Sequence, residues 1–157
     1  MENSVVSIVR TPVDYSAVDE AVRAAVELCG GNDVISRFNE RTKVLIKPNL
    51  LNLGNGESGN TTDYRVVETL IKLVQPQKSG ITVGDASGLR WKGATQQVLE
   101  ETGMAGICRE NGAEAVNFDQ LEPLKVPIPE GRVLSEAFLA PPAVQSDAII
   151  NVPKIKT

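Results

Sequence analysis

Three apolar runs in this chain each end in residues that could do chemistry. Lys43 to Ile46 leads into Lys47-Pro48-Asn49. Ile81 to Val83 leads into Gly84-Asp85-Ala86-Ser87-Gly88. Ala148 to Val152 leads into a lysine-rich tail, so that the third string reads Asn151-Val152-Pro153-Lys154-Ile155-Lys156. Side by side, these strings would gather three lysines, two asparagines, a carboxylate and a hydroxyl. Lysine ammoniums favour an anion such as a phosphate or carboxylate. Asp85 could orient a lysine, serve as a base or hold a cation, and Ser87 with nearby backbone N–H groups could add hydrogen bonds. Taken singly, a lysine after a strand is more often a solvated side chain, and an Asp before Ala-Ser-Gly more often makes a turn. The coincidence of three such ends is what points to a ligand site.

Other motifs add less. Gly54 to Gly59 fits G-x-G-x-x-G, but six residues separate it from the preceding strand and Asn60-Thr61-Thr62 from the following helix. A dinucleotide fingerprint joins strand to helix directly, so a mobile flap is the expected role. Thr61, Thr62 and Asp63 open the next helix. Their N–H groups could face an anion, with simple capping as the plainer alternative. No phosphate-binding P-loop and no nucleophile elbow is present. Trp91, beside Arg90 and Lys92, could stack on a ligand or pack on the next helix.

The elements that must position these residues alternate. Val5 to Val9 reads as a first strand. Ser16 is the expected N-cap of a helix carrying Val18, Ala21, Val22, Ala25, Val26 and Cys29, which Gly30-Gly31 ends. Thr62 or Asp63 caps a helix through Val66, Val67, Leu70, Ile71 and Val74, stopped by Pro76. Helices are expected over Thr95 to Thr102 and Met104 to Asn111, and a strand over Ala115 to Phe118. Leu124 to Ile128 and Arg132 to Leu134 could pair around Pro129-Glu130-Gly131 as an edge hairpin, since proline confines strands to edges. Ala148 to Val152 reads as a buried strand. This alternation implies a three-layer α/β/α fold on a mostly parallel sheet. Right-handed crossovers put the loops after the strands on one edge, where ligands bind in such sheets.

With 157 residues, 41% apolar and 23% charged, the chain is expected to be one ordered domain. A net charge of −4 offers no footprint for nucleic acid or membrane surface. No stretch approaches the roughly 20 apolar residues of a membrane span, and the start lacks the character of a signal peptide. Cys29 and Cys108, both in apolar-periodic segments, are expected to be buried free thiols in a reducing, cytoplasmic compartment. Histidine is absent, which leaves any acid–base work to Lys, Asp, Glu, Tyr or Cys. No metal or cluster ligand set is present within the chain.

The ordered set Val44-Leu45-Ile46-Lys47-Pro48-Asn49-Leu50, Thr61-Thr62-Asp63, Val83-Gly84-Asp85-Ala86-Ser87-Gly88 and Asp147 to Thr157 resembles the family of domain of unknown function 362. Glu101-Thr102-Gly103 and Asn111-Gly112-Ala113-Glu114 fit the same pattern. The resemblance implies an uncharacterised prokaryotic protein, often joined to a ferredoxin-like iron–sulfur module, and hence a redox setting. In that family the last motif continues Lys-Thr-His. Thr157 stops short of it, so the resemblance implies residues 1–157 to be the front part of a longer protein, any cluster lying beyond them. Matching residues are Lys47, Asn49, Thr61, Thr62, Asp85, Ser87, Asn151, Lys154 and Lys156.

Asp85 and Lys47 are thus the candidate catalytic residues. Asn49, Thr61, Thr62, Ser87, Asn151, Lys154 and Lys156 are the candidate ligand-binding set. The expectation is a small anionic ligand held at the carboxyl edge of the sheet in an iron–sulfur-associated protein. The alternatives are a cation-dependent transferase or hydrolase in the same pocket, and a docking domain without chemistry.

Overall fold

A central strand of a parallel sheet is buried on both faces. Val44, Leu45 and Ile46 meet that demand, each at most 1% exposed. The structure is a computed structural model describing residues 5–11, 16–53, 59–77, 79–88, 91 and 93–155. In chain order its elements are α1 (Val18–Leu28), α2 (Gly31–Ile35), β1 (Lys43–Pro48), α3 (Tyr64–Val74), β2 (Gly80–Asp85), α4 (Ala94–Glu101), α5 (Met104–Glu110), β3 (Glu114–Asn117), β4 (Leu124–Pro127), β5 (Glu136–Leu139), α6 (Pro141–Gln145) and β6 (Ala148–Val152). The main sheet is all parallel, in the order β3-β2-β1-β6.

The core lies on the face carrying Val44, Ile46, Ile81 and Val83, against Val67, Leu70, Ile71 and Val74 of α3, Val98 and Leu99 of α4, and Met104, Ile107 and Cys108 of α5. α1 packs on α3. The opposite face carries Lys43, Leu45, Gly80, Thr82 and Glu114 by strand alternation. α6 meets it: Pro142 and Gln145 border a cavity with Lys43, Thr82 and Glu114. Helices therefore lie on both sides of the sheet, completing an α/β three-layer fold. Gly84 is required on this face, because a Cβ there would sit 2.6 Å from both the Phe118 ring and the Val116 carbonyl.

Several elements differ from the sequence expectation. Val5 to Val9 is not a strand. The segment pairs with neither edge strand of the sheet, β3 or β6, and lies against α1 instead. It leaves Val5, Val6 and Ile8 exposed and is tied to α1 by the Ser7 hydroxyl, which donates to Ala25 O at 2.7 Å. Ser16 is not the N-cap; α1 begins after Ala17 with no side-chain cap, and Asp19 instead accepts from Arg23 and Thr69.

The hairpin forms, but its second strand is Glu136–Leu139 rather than Arg132 to Leu134, and it makes its own two-stranded sheet rather than an edge of the main one. The turn is longer because Ile128 N closes on Ser135 O at 2.9 Å, with Glu130 at φ 58°. β6 is an edge strand, not a buried one: it pairs only with β1, and Ile149 is 50% exposed. Cys29 is exposed rather than buried, since it sits at the C-cap of α1, past the last turn that faces α3. Cys108 is buried, and desolvation pushes its thiol up to about 11, opposed only in part by the Arg109 charge.

Candidate functional site

The parallel order of β2, β1 and β6 brings the three polar strand ends to one rim. Lys47 lies opposite Asn151, and Pro48 opposite Val152. The β1–β2 register, continued two residues past Ile46↔Val83, puts Pro48 beside Asp85. At that point Lys47 Nζ is 2.8 Å from Asp85 Oδ1. The other carboxylate oxygen accepts from Leu50 N at 2.9 Å, in a buried bond that fixes the loop after β1. Asp85 is thereby held on both oxygens with its side chain 13% exposed, while that of Lys47 is 38% exposed. Lys47 Nζ also lies 3.4 Å from Pro48 O.

A second set of bonds ties the β1 loop to α3 and β6. Thr62 and Asn49 exchange two bonds at 2.9 Å, Thr62 N to Asn49 O and Asn49 N to Thr62 Oγ1. The Thr62 hydroxyl also donates to Val152 O at 2.8 Å. Asn49 Nδ2 donates to Asn60 O, and the buried Thr61 hydroxyl donates to Asn52 O at 3.1 Å. Thr61 and Thr62 thus act as ties between loops, and the Thr62 N–H is already given to Asn49.

Asp63 is the helix cap, accepting from Arg65 N, and its carboxylate also takes both the Nε and an Nη of Arg65 at 2.9 and 2.6 Å. Burial pushes the Asp63 carboxyl up, but the bonds from Arg65 outweigh it. Together with the Arg65 and Lys154 charges, they hold it below the usual carboxylate range. Lys154 and Asp63 both line a cavity of about 190 Å³ whose walls include Val18, Val22, Val66 and Val152. Asn151 is exposed on β6. Lys156 and the glycine loop 54–58 lie outside the described residues, as do Arg90 and Lys92; Trp91 is 51% exposed.

A fourth strand end joins this rim, and the sequence reading had no part for it. Asp85 lies opposite Asn117 of β3. Beyond Asn117, the Asp119 carboxylate is 2.5 Å from the hydroxyl of Thr95, in the first turn of α4. Thr95 Oγ1 is in turn 2.8 Å from both Ser87 Oγ and Ser87 N. The only signal in sequence was that Ala115 to Phe118, like the other strands, ends in a short polar residue pair, Asn117 and Asp119.

The rim therefore holds a lysine–aspartate pair, a hydroxyl–hydroxyl–carboxylate chain and a lysine beside an apolar cavity. The larger cavity of about 550 Å³ lies at the opposite end of the strands, by Lys43, Gly80 and Glu114, away from these groups. Among the described residues no helix is long and apolar enough to cross a membrane.

The family model described as a domain of unknown function matches residues 44–157, a span that contains all of the rim residues named above. No curated protein and no solved structure matches the chain.

Proposed function

We propose that this chain, which belongs to the DUF362 family, binds a small anionic ligand at the carboxyl edge of its parallel sheet, in an iron–sulfur-associated redox protein of the cytoplasm. The observation that carries the reading is the Lys47–Asp85–Leu50 N arrangement. An ammonium has three donors. Asp85 and the Pro48 carbonyl account for two, which leaves a third on a partly exposed side chain fixed at the rim. Asn151 in register with Lys47, and Lys154 past the end of β6, add polar groups to the same edge. Asp85 orients Lys47 through the 2.8 Å ion pair and is the candidate base of the site. Cys29 and Cys108, both free, suit a reducing compartment. Support for the redox setting comes from the ferredoxin-like modules that family resemblance implies.

Thermal unfolding with phosphate, pyrophosphate and small dicarboxylates, with and without magnesium, tests the reading. A ligand at a hundred times its Kd stabilises by about 2.7 kcal/mol. For a chain of this size that raises Tm by roughly 5–10 °C. The expected result is such a rise, lost in Lys47→Ala. A rise that requires magnesium would favour cation-dependent chemistry instead. No rise with any anion would refute the site and leave the docking role.

A further inference from the structure

The chain of Asp119, Thr95 and Ser87 dictates where hydrogens lie. A carboxylate only accepts, and a hydroxyl has one proton. At 2.5 Å from Asp119 Oδ2, the Thr95 proton is committed to the carboxylate. Such charge-assisted bonds are the short, strong ones. Thr95 Oγ1 then has only lone pairs left, and one takes the Ser87 N–H at 2.8 Å. The 2.8 Å contact between the two hydroxyls must therefore run from Ser87 Oγ–H to the second lone pair of Thr95. Thr95 is 1% exposed and fully satisfied, so the pattern has no slack. Ser87 is only partly buried, and with its proton turned inward its remaining lone pairs are what it can offer a ligand.

We propose that Thr95 and Asp119 are positioning residues that hold Ser87 as a hydrogen-bond acceptor in the rim site, so that the ligand class is an anion carrying its own proton donor, such as a protonated phosphate or a hydroxy acid. This rests on the anion reading above. Ser87 is two residues beyond Asp85, at most about 7 Å along the chain, and Asp85 holds Lys47. One small molecule can therefore meet the Lys47 ammonium with its charge and Ser87 with its hydroxyl.

Phosphate and sulfate separate the two halves of the idea. Both are tetrahedral anions, but near neutral pH only phosphate retains a P–OH donor. Titration calorimetry of the whole chain with each ion is the test. The wild type is expected to favour phosphate by roughly three- to tenfold, the value of one net hydrogen bond. Asp119→Ala, on an exposed side chain, frees the Thr95 proton to turn to Ser87. It should erase or reverse the preference while phosphate still binds. Thr95→Val should also erase it, and Thr95→Ser should restore it. Lys47→Ala should weaken both ions alike. Binding of both ions with equal affinity in the wild type, or a preference unchanged in Asp119→Ala and Thr95→Val, overturns the acceptor role and leaves the anion site standing. Failure of both ions to bind overturns the two together. The pair glycolate and acetate repeats the test with carboxylates.

Discussion

Replacing Asp85 separates its two roles, because each carboxylate oxygen has a different partner. The Leu50 N–H that donates to Oδ2 at 2.9 Å belongs to a residue only 1% exposed, so water does not replace a lost acceptor. An N–H left in that state costs about 1–3 kcal/mol. The ion pair with Lys47 is worth less, about 0–1 kcal/mol, because the lysine is more than one-third exposed and screened. Asp85→Ala removes both, and about 2–3 kcal/mol should be lost. With roughly 2–4 °C per kcal/mol in chains of this size, Tm should fall by about 5–10 °C. Asp85→Asn retains an oxygen for Leu50 N and gives up only the charge, so its loss should stay near about 1 kcal/mol. Urea unfolding followed by circular dichroism reads both, with an unchanged slope expected because neither change alters the surface exposed on unfolding. The Asp85→Asn deficit should also shrink in high salt. Equal midpoints for the two variants would refute the claim that Asp85 supports the β1 loop through Leu50.

Three further outcomes follow from the same geometry. Because the Asp63 carboxyl is held below its ordinary range, its contribution to stability is complete above about pH 4. It is lost as pH falls through the lower folded value. The gap in urea midpoint between wild type and Asp63→Asn should therefore be open at pH 7 and narrow in acid, and a constant gap would contradict the Arg65 bonds. Thr62→Val removes the hydroxyl joining Asn49 N to Val152 O; a loss of about 1–3 kcal/mol is expected, with Thr62→Ser close to wild type in the same unfolding assay. A thiol reagent at pH 8 should modify only the exposed Cys29 in the native chain and both cysteines in denaturant, because Cys108 is buried with a thiol pushed up to about 11. Rapid native labelling of two thiols would contradict that packing.

Much of the fold was legible because its signals are local. The periodicity of Val66, Val67, Leu70, Ile71 and Val74, the cap at Asp63 and the apolar run at Val44 to Ile46 each act within a few residues. Where the reading failed, a distant partner decided. Val5 to Val9 has strand composition, but such composition only suits a pleated, half-buried surface, and this segment lies against α1 without pairing to either sheet edge. Arg132 to Leu134 lost its place in the hairpin to Glu136–Leu139, whose side chains meet Lys125 in a salt bridge at Glu136.

The same division holds at the rim. From residue types and order alone came the α/β alternation, the parallel sheet and the notion that Lys47, Asp85, Ser87, Asn151 and Lys154 gather at strand ends. Composition and hydrophobic period are properties of contiguous chain, so they survive without coordinates. Tertiary structure alone chose the partners: Leu50 for Asp85 across 35 residues, Val152 for Thr62 across 90, and Asp119 for Thr95 across 24. A hydrogen bond needs donor and acceptor within about 3 Å and aligned, and only the order of the strands brings such remote residues that close.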